Sequence, residues 1–243
     1  MPGKAIFIDT TRCTGCRGCQ VACKQWNKLP ALKTSQTGSH QNPPDLSFET
    51  YKVVRFREHR GADGKPVWYF FSDQCRHCIE PPCWESGVEM QNVEGSILKD
   101  EQTGAVIYTD LTEKLDFEEI RGACPYDIPR KSQNGGLIAK CNMCIDRVSN
   151  GLLPACVKSC PTQAMNFGDY EDMVKLAEER LKAAKAKFPK AQLTNTEDVR
   201  VFYLLADIPE KYHEFADASA IKGITRKAAL RKMFSPVRAF LRA

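Results

Sequence analysis

Apolar positions along the chain switch repeatedly between a period of two and a period of three to four, the signature of a protein that mixes strands and helices. Ala5, Ile6, Phe7 and Ile8 form a short apolar run that predicts a strand, followed by a polar loop and a helix over residues 19–27. Residues 29–50, where Gly38, Pro43 and Pro44 stand among polar side chains, read as a long surface loop. Residues 51–58 and 67–72 alternate or run apolar as two strands, separated by the turn signal Gly61, Ala62, Asp63, Gly64. Segments 96–99 and 105–109 predict a hairpin around Asp100 to Gly104. Residues 112–123 predict a helix with Thr112 as its N-cap. A charged amphipathic helix follows over 169–188, in which the lysine-rich run 175–187 reads as a solvated face. Residues 199–205 predict a strand, and 222–243 a basic, weakly helical arm.

Twelve cysteines lie in the loops between these elements and on the helix over 19–27. Cys13, Cys16, Cys19 and Cys23 are spaced C-x2-C-x2-C-x3-C, and Cys141, Cys144, Cys156 and Cys160 read C-x2-C-x11-C-x3-C-P. In iron-sulfur proteins the first spacing turns three thiolates toward one 4Fe-4S cluster while the fourth, on the helix that follows, faces a different one. The two runs therefore interlock. Cys13, Cys16, Cys19 and Cys160 are expected to hold one cluster, and Cys23, Cys141, Cys144 and Cys156 a second. Cys75, Cys78, Cys83 and Cys124 remain, as C-x2-C-x4-C plus a distant Cys-Pro, for a third. Disulfides are the weaker reading, because a chain of 243 residues needs no stapling. Zinc favours two C-x2-C pairs per site, whereas here three cysteines crowd one loop and a lone Cys-Pro arrives from far away, twice.

The formal charge of +5 invites a nucleic-acid reading, but the cofactors change the sum. Twelve thiolates bring about −12 and three oxidised cores about +6, so the loaded chain comes to about −1. Arg12, Arg17, Lys24, Arg76, Lys140 and Arg147 beside the cysteines are read as offsetting cluster charge. No apolar run approaches the roughly 20 residues of a membrane span, and the opening Met1-Pro2-Gly3-Lys4 carries no signal-peptide pattern. No phosphate-binding loop or nucleophile motif is present, so no bond chemistry is expected of this chain. His77, between two expected ligands, reads as a hydrogen-bond donor near the cluster or a surface residue; Trp26 and Trp84 read as shields against water.

Because the first and last motifs share clusters, the middle of the chain is expected to be inserted into the first domain. The expected fold class is α+β, with two nested ferredoxin-like domains. Residues 1–50 with 132–168 form the first, 51–131 the inserted second, and 169–243 a C-terminal helix, strand and basic tail.

The stretch from Asp9 to Asn27 resembles the opening of the iron-sulfur beta subunit of formate dehydrogenases. So do Asp73 to Cys78 with Pro81-Pro82-Cys83, Ala123 to Lys131, and Lys140 to Arg147 leading to Pro154 to Thr162. The resemblance implies an electron-transfer subunit beside a large catalytic partner that oxidises formate at a molybdenum or tungsten bis-pterin centre. It implies a c-type cytochrome as acceptor and a periplasmic complex exported on the partner's signal, with a cytoplasmic complex as the alternative. The equivalent subunit of another molybdopterin reductase and a stand-alone polyferredoxin are the competing readings. Relatives usually carry sixteen cysteines and four clusters. Their missing ligands map onto Gly87, Lys114, Phe117 and Ile120, where Phe117 and Ile120 are expected to fill the vacated space. Three clusters instead of four resembles the soluble two-subunit enzymes of sulfate-reducing bacteria.

Overall fold

A computed structural model describes residues 2–61 and 63–218; the basic arm expected over 222–243 lies outside the described residues. The elements run β1 (Lys4–Asp9), α1 (Gly18–Trp26), β2 (Val53–Arg60), β3 (Pro66–Asp73), α2 (Pro82–Trp84), β4 (Ile97–Lys99), β5 (Val106–Tyr108) and α3 (Phe117–Ala123). They continue through β6 (Arg130–Lys131), β7 (Ile138–Ala139), α4 (Ile145–Val148), α5 (Ala155–Lys158), β8 (Met165–Asp169), α6 (Tyr170–Lys185), β9 (Gln192–Leu193) and β10 (Val201–Leu205). The mixed helix and strand content agrees with the α+β expectation.

One four-stranded sheet, in the order β8-β1-β10-β9, organises the molecule. Strand β1 runs antiparallel to β8 and parallel to β10, with Ile6 opposite both Phe167 and Val201. Both neighbours and both faces of β1 are covered, which is why its sequence runs apolar instead of alternating. On one face Ala5 and Phe7 pack with Phe202, Leu204, Tyr170 and Ala177. On the other, Ile6 and Ile8 pack with Val201, Tyr203, Leu205, Met143 and Cys156. Helix α6 lies over the first face and leaves Lys175, Lys182, Lys185 and Lys187 in solvent, as the charge pattern predicts.

The expected strand over 199–205 is not an appendage to the sheet. As β10 it sits between β1 and β9, and the residues before it run beside a cysteine loop, with Cys78 bridged to Val199 and the Ile79 N–H donating to the Asp198 carbonyl at 2.9 Å. The expected helix over 112–123 is divided. A 3-10 turn over Asp110–Lys114 is capped by Thr109, and α3 begins afresh with the Asp116 carboxylate accepting from the Glu119 N–H at 3.1 Å. Thr112, expected as the cap, is fully buried and instead accepts the Ile138 N–H at 3.2 Å. The break drops Leu115 into the core, a gain that continuous helix would forgo.

Candidate functional site

The three C-x2-C loops share one backbone shape. In each, the residue before the second cysteine has left-handed φ: Gly15 at 67°, His77 at 48° and Met143 at 59°. That turn swings the residue's N–H back onto the first sulfur. The N–H groups of His77 and Met143 donate to Cys75 Sγ and Cys141 Sγ, each at 3.4 Å, and the Gly15 backbone N–H acts on the Cys13 thiol in the same sense. A side chain at His77 or Met143 makes this conformation unfavourable by about 1–3 kcal/mol, and both residues recover burial, at 0 % and 1 % exposure. Gly15 is required on a second ground, since a Cβ there would meet the Phe70 ring at 3.0 Å.

Helix α1 starts at Gly18, directly after Arg17 in the left-handed region, so that Cys19 occupies its first turn and Cys23 the next. Cys23 is buried against the far side of the loop that leaves Cys16 exposed. Three groups of thiols result. The Cys13 thiol is raised to about 11, first by burial and then by Cys19, Cys160 and Cys16, with the Gly15 N–H acting against the rise. Cys23 is raised well above the usual thiol range by burial and then by Cys141, Cys156 and Cys144. Cys78 is raised by burial and then by Cys75, Cys124 and Cys83. That last group lines one cavity with Pro81, Pro82, Tyr108, Pro125 and Tyr126.

The groups adjoin one another. Cys141 is raised to about 12 by burial and next by Cys75 of the third group, and Cys156 feels Cys19 of the first. The second group therefore adjoins both of the others.

The donor chemistry suits iron-sulfur cubes. Each group gathers soft thiols from sequence-distant loops, and protein N–H groups point at the sulfurs, including the Asn27 side-chain amide toward Cys23 at 3.7 Å. The third group surrounds a cavity, and among the described residues no three cysteine, histidine or acidic side chains come together tightly enough for a single metal ion.

Of the basic residues read as offsetting charge, Arg76, Lys140 and Arg147 are buried, whereas Arg12 is exposed. Arg76 stacks between the Phe71, Tyr126 and Tyr203 rings at 4.9–5.1 Å and donates to Asp73 Oδ1 at 3.0 Å. Asp73 in turn accepts from Arg55 Nε at 2.8 Å, and Arg55 reaches Asp45 at 2.6 Å. Lys140 donates to the Cys141 carbonyl at 3.1 Å and sits 4.6 Å over the Tyr108 ring.

Of the two readings of His77, burial excludes the surface one: it is fully buried, and its Nδ1 accepts the Val106 N–H at 3.0 Å, which leaves the ring proton on Nε2. Burial, then Lys140 and Arg200, hold its pKa well below the usual imidazole value, so it stays neutral. Trp84 is half-buried beside Cys83 under Lys99. Trp26 is 42 % exposed, donates to Asp146 at 2.8 Å and carries Arg147 on its ring at 4.1 Å. Sequence reasoning passed over Lys52, a 1 % exposed lysine at the mouth of the β2–β3 ladder. A lysine in an otherwise apolar segment, 52–54, was the available signal.

Comparison with known proteins gives this geometry a family. Residues 66–170 match the model of the 4Fe-4S dicluster domain. The chain is 54 % identical over 216 residues to formate dehydrogenase subunit beta of Megalodesulfovibrio gigas, covering 88 % of this chain and 99 % of the relative. It belongs to the iron-sulfur beta subunits of formate dehydrogenases. A second relative, formate dehydrogenase 2 subunit beta (cytochrome c-553) of Nitratidesulfovibrio vulgaris, is 53 % identical over 88 % of this chain and 98 % of its own length. The iron-sulfur subunit of the nitrate-inducible formate dehydrogenase of Escherichia coli is 38 % identical, over 86 % of this chain and 71 % of its own. A beta subunit of formate dehydrogenase transfers electrons as part of an oxidoreductase complex, beside a catalytic subunit. No helix among the described residues is long and apolar enough to cross a membrane.

In this formate dehydrogenase subunit, three of the four positions onto which the resemblance maps the missing ligands, Gly87, Phe117 and Ile120, border one apolar cluster. A Cβ on Gly87 would meet Ile97 and Leu115 at 3.2 Å and Ile120 at 3.3 Å. Ile120 is fully buried, as expected, but Phe117 lies only half-buried at the rim beside Arg121, and Lys114 is exposed. Leu115, 6 % exposed, takes the role the sequence pattern assigned to Phe117. Ile120→Ala is therefore expected to destabilise the protein by about 2–5 kcal/mol, and Phe117→Ala by clearly less. Denaturant midpoints of the two variants give the comparison, and an equal or reversed ranking contradicts this packing.

Proposed function

We propose that this subunit carries electrons one at a time through three 4Fe-4S clusters. Cys13, Cys16, Cys19 and Cys160 would hold one, Cys23, Cys141, Cys144 and Cys156 a second, and Cys75, Cys78, Cys83 and Cys124 a third. The observation that carries the reading is the gathering of all twelve cysteines into three groups of four, with the second group adjoining both others. A mononuclear zinc site would need thiols converging at about 2.3 Å on one ion, which suits these groups less well. The organisation of two nested ferredoxin-like domains belongs to the same proposal.

The protein's own work would be burial and hydrogen bonding to sulfur, which set potentials, and close spacing, which permits transfer. It would hold no catalytic site. Formate would be oxidised on the partner at a molybdenum or tungsten bis-pterin centre, and the electrons passed to a c-type cytochrome, an acceptor that the name of the N. vulgaris relative supports. Iron and sulfide analysis of the purified complex, with the partner's own share subtracted, tests the ligation. It is expected to give about 12 iron and 12 sulfide per beta subunit; a fourth cluster or stoichiometric zinc would refute it.

The complex is further proposed to be periplasmic, folded around its clusters before export and carried by a twin-arginine signal on the partner. Cell fractionation after mutation of the partner's arginine pair is expected to leave both subunits in the cytoplasm. A wild-type complex found only in the cytoplasm would contradict the location.

A further inference from the structure

Lys52 is 1 % exposed, yet among the described residues no carboxylate lies within ion-pair distance of it. Its Nζ donates to the side-chain oxygen of Gln74, a neutral group whose own amide nitrogen is left without a partner. Taking an ammonium out of water without an anion is strongly unfavourable, so a compensating negative charge must lie close by. The surroundings supply cysteine sulfurs and the Tyr203 phenol, and of these only the sulfurs carry negative charge at neutral pH once they bind iron. Lys52 and Gln74 close the end of the β2–β3 ladder, next to the pair Val53 and Asp73. From that ladder Ser72 Oγ approaches Cys19 Sγ to 3.5 Å. Cys156, Cys19 and Cys141 are among the groups that hold the ammonium above the ordinary lysine range, against burial, which alone would lower it. Cys19 belongs to the first thiol group, Cys141 and Cys156 to the second.

We propose that Lys52 is a fixed positive charge shared by the first and second clusters, one that favours their reduced forms over their oxidised forms and leaves the third largely untouched. The proposal rests on the cluster assignment above. An electron arriving at either cluster adds one negative charge next to an ammonium that cannot be solvated away. The added attraction raises both potentials together and so keeps the transfer between the two near balance. Lys140 occupies the corresponding place toward Cys83 of the third group, so the two lysines are not redundant. Lys52 touches no reacting atom and acts as a positioning residue for charge.

The test is EPR-monitored redox titration of the intact complex, comparing wild type with Lys52→Met, Lys52→Arg and Gln74→Glu. In Lys52→Met the ratio of reduced to oxidised form at a fixed potential is expected to fall about tenfold for the first two clusters, which is 59 mV for a one-electron couple. The third is expected to move less, and Lys52→Arg to restore the first two. Gln74→Glu keeps Lys52 but pairs it with a carboxylate, and is expected to lower the same two potentials and, because residue 74 adjoins Cys75, the third as well. It decides the matter if Lys52→Met fails to retain iron. Full iron with unchanged potentials in Lys52→Met, or in Gln74→Glu where only that variant retains iron, overturns the role of Lys52. A wild-type iron content inconsistent with three clusters is seen before any variant is made, and overturns the assignment beneath it.

Discussion

Replacing Cys23 with serine is expected to perturb the same EPR signal as replacing Cys144, while Cys16→Ser is expected to pair with Cys160→Ser. The pairing runs against sequence distance, since Cys23 lies close to Cys16 and far from Cys144. Helix α1 is the cause: it begins between the two positions and turns Cys23 inward, to 6 % exposure, against Cys141, Cys156 and Cys144. Loss of either cluster is expected to abolish delivery to an external acceptor while formate still reduces the partner's metal centre, because the break lies downstream of the chemistry. Spectra in which Cys16→Ser and Cys23→Ser erase one and the same signal would mean that each motif closes its own cluster. The interlocked arrangement and the nested domains would then both fall.

Asp73→Ala is expected to destabilise the loaded protein by about 3–5 kcal/mol, because it strands the buried guanidinium groups of Arg55 and Arg76. For a chain of this size that corresponds to a fall in Tm of roughly 10 °C. Burial pushes the Asp73 carboxyl up, but Arg76, Arg55 and His213 outweigh it and hold the group below the ordinary carboxylate range. Its contribution is thus present above the unfolded value of about 3.9 and disappears as pH falls through the lower folded value. His213, 3.8 Å from Asp73, acts in an earlier window. Burial, partly countered by Asp73, lowers its pKa from 6.5 to about 4. Between those values the unfolded chain binds a proton that the folded chain refuses, so stability falls as pH drops from about 6.5 to about 4. His213→Gln is expected to flatten that limb of the unfolding profile, and an unchanged slope would place the acid sensitivity elsewhere.

How far the sequence could be read depended on the range of the forces involved. The C-x2-C loops were legible because their chemistry is local: ligand spacing and the left-handed turn at Gly15, His77 and Met143 are properties of four consecutive residues. Strands β1, β2 and β3 announced themselves by composition. What escaped was set at a distance. Nothing in Val201 to Leu205 says that this strand pairs in parallel with Ile6 to Asp9. The division of the 112–123 segment depends on Leu115 finding Ile97 and Ile120, and the half-burial of Phe117 follows from that choice. The imidazole of His77 is neutral because the assembled fold buries it beside Lys140 and Arg200, and its Nδ1 finds the Val106 N–H on another hairpin. Buried charges such as Lys52 and Asp73 look in sequence like any surface residue, since only the assembled fold removes the water around them.

The placement of β10 in the sheet bears on how the molecule is made. During synthesis β1 leaves the ribosome long before its parallel partner β10, with a hydrophobic strand edge exposed until Val201 and the residues after it are made. Parallel pairing over so long a loop is slow to form, and an open apolar edge is prone to aggregate. Completion of the sheet behind the Cys13 loop is therefore a late event in the folding of these elements. Metallation of the thiols around Cys13 before that point would act on a half-built cradle, which makes the nascent chain a natural client for holding factors until β10 slots in beside β1.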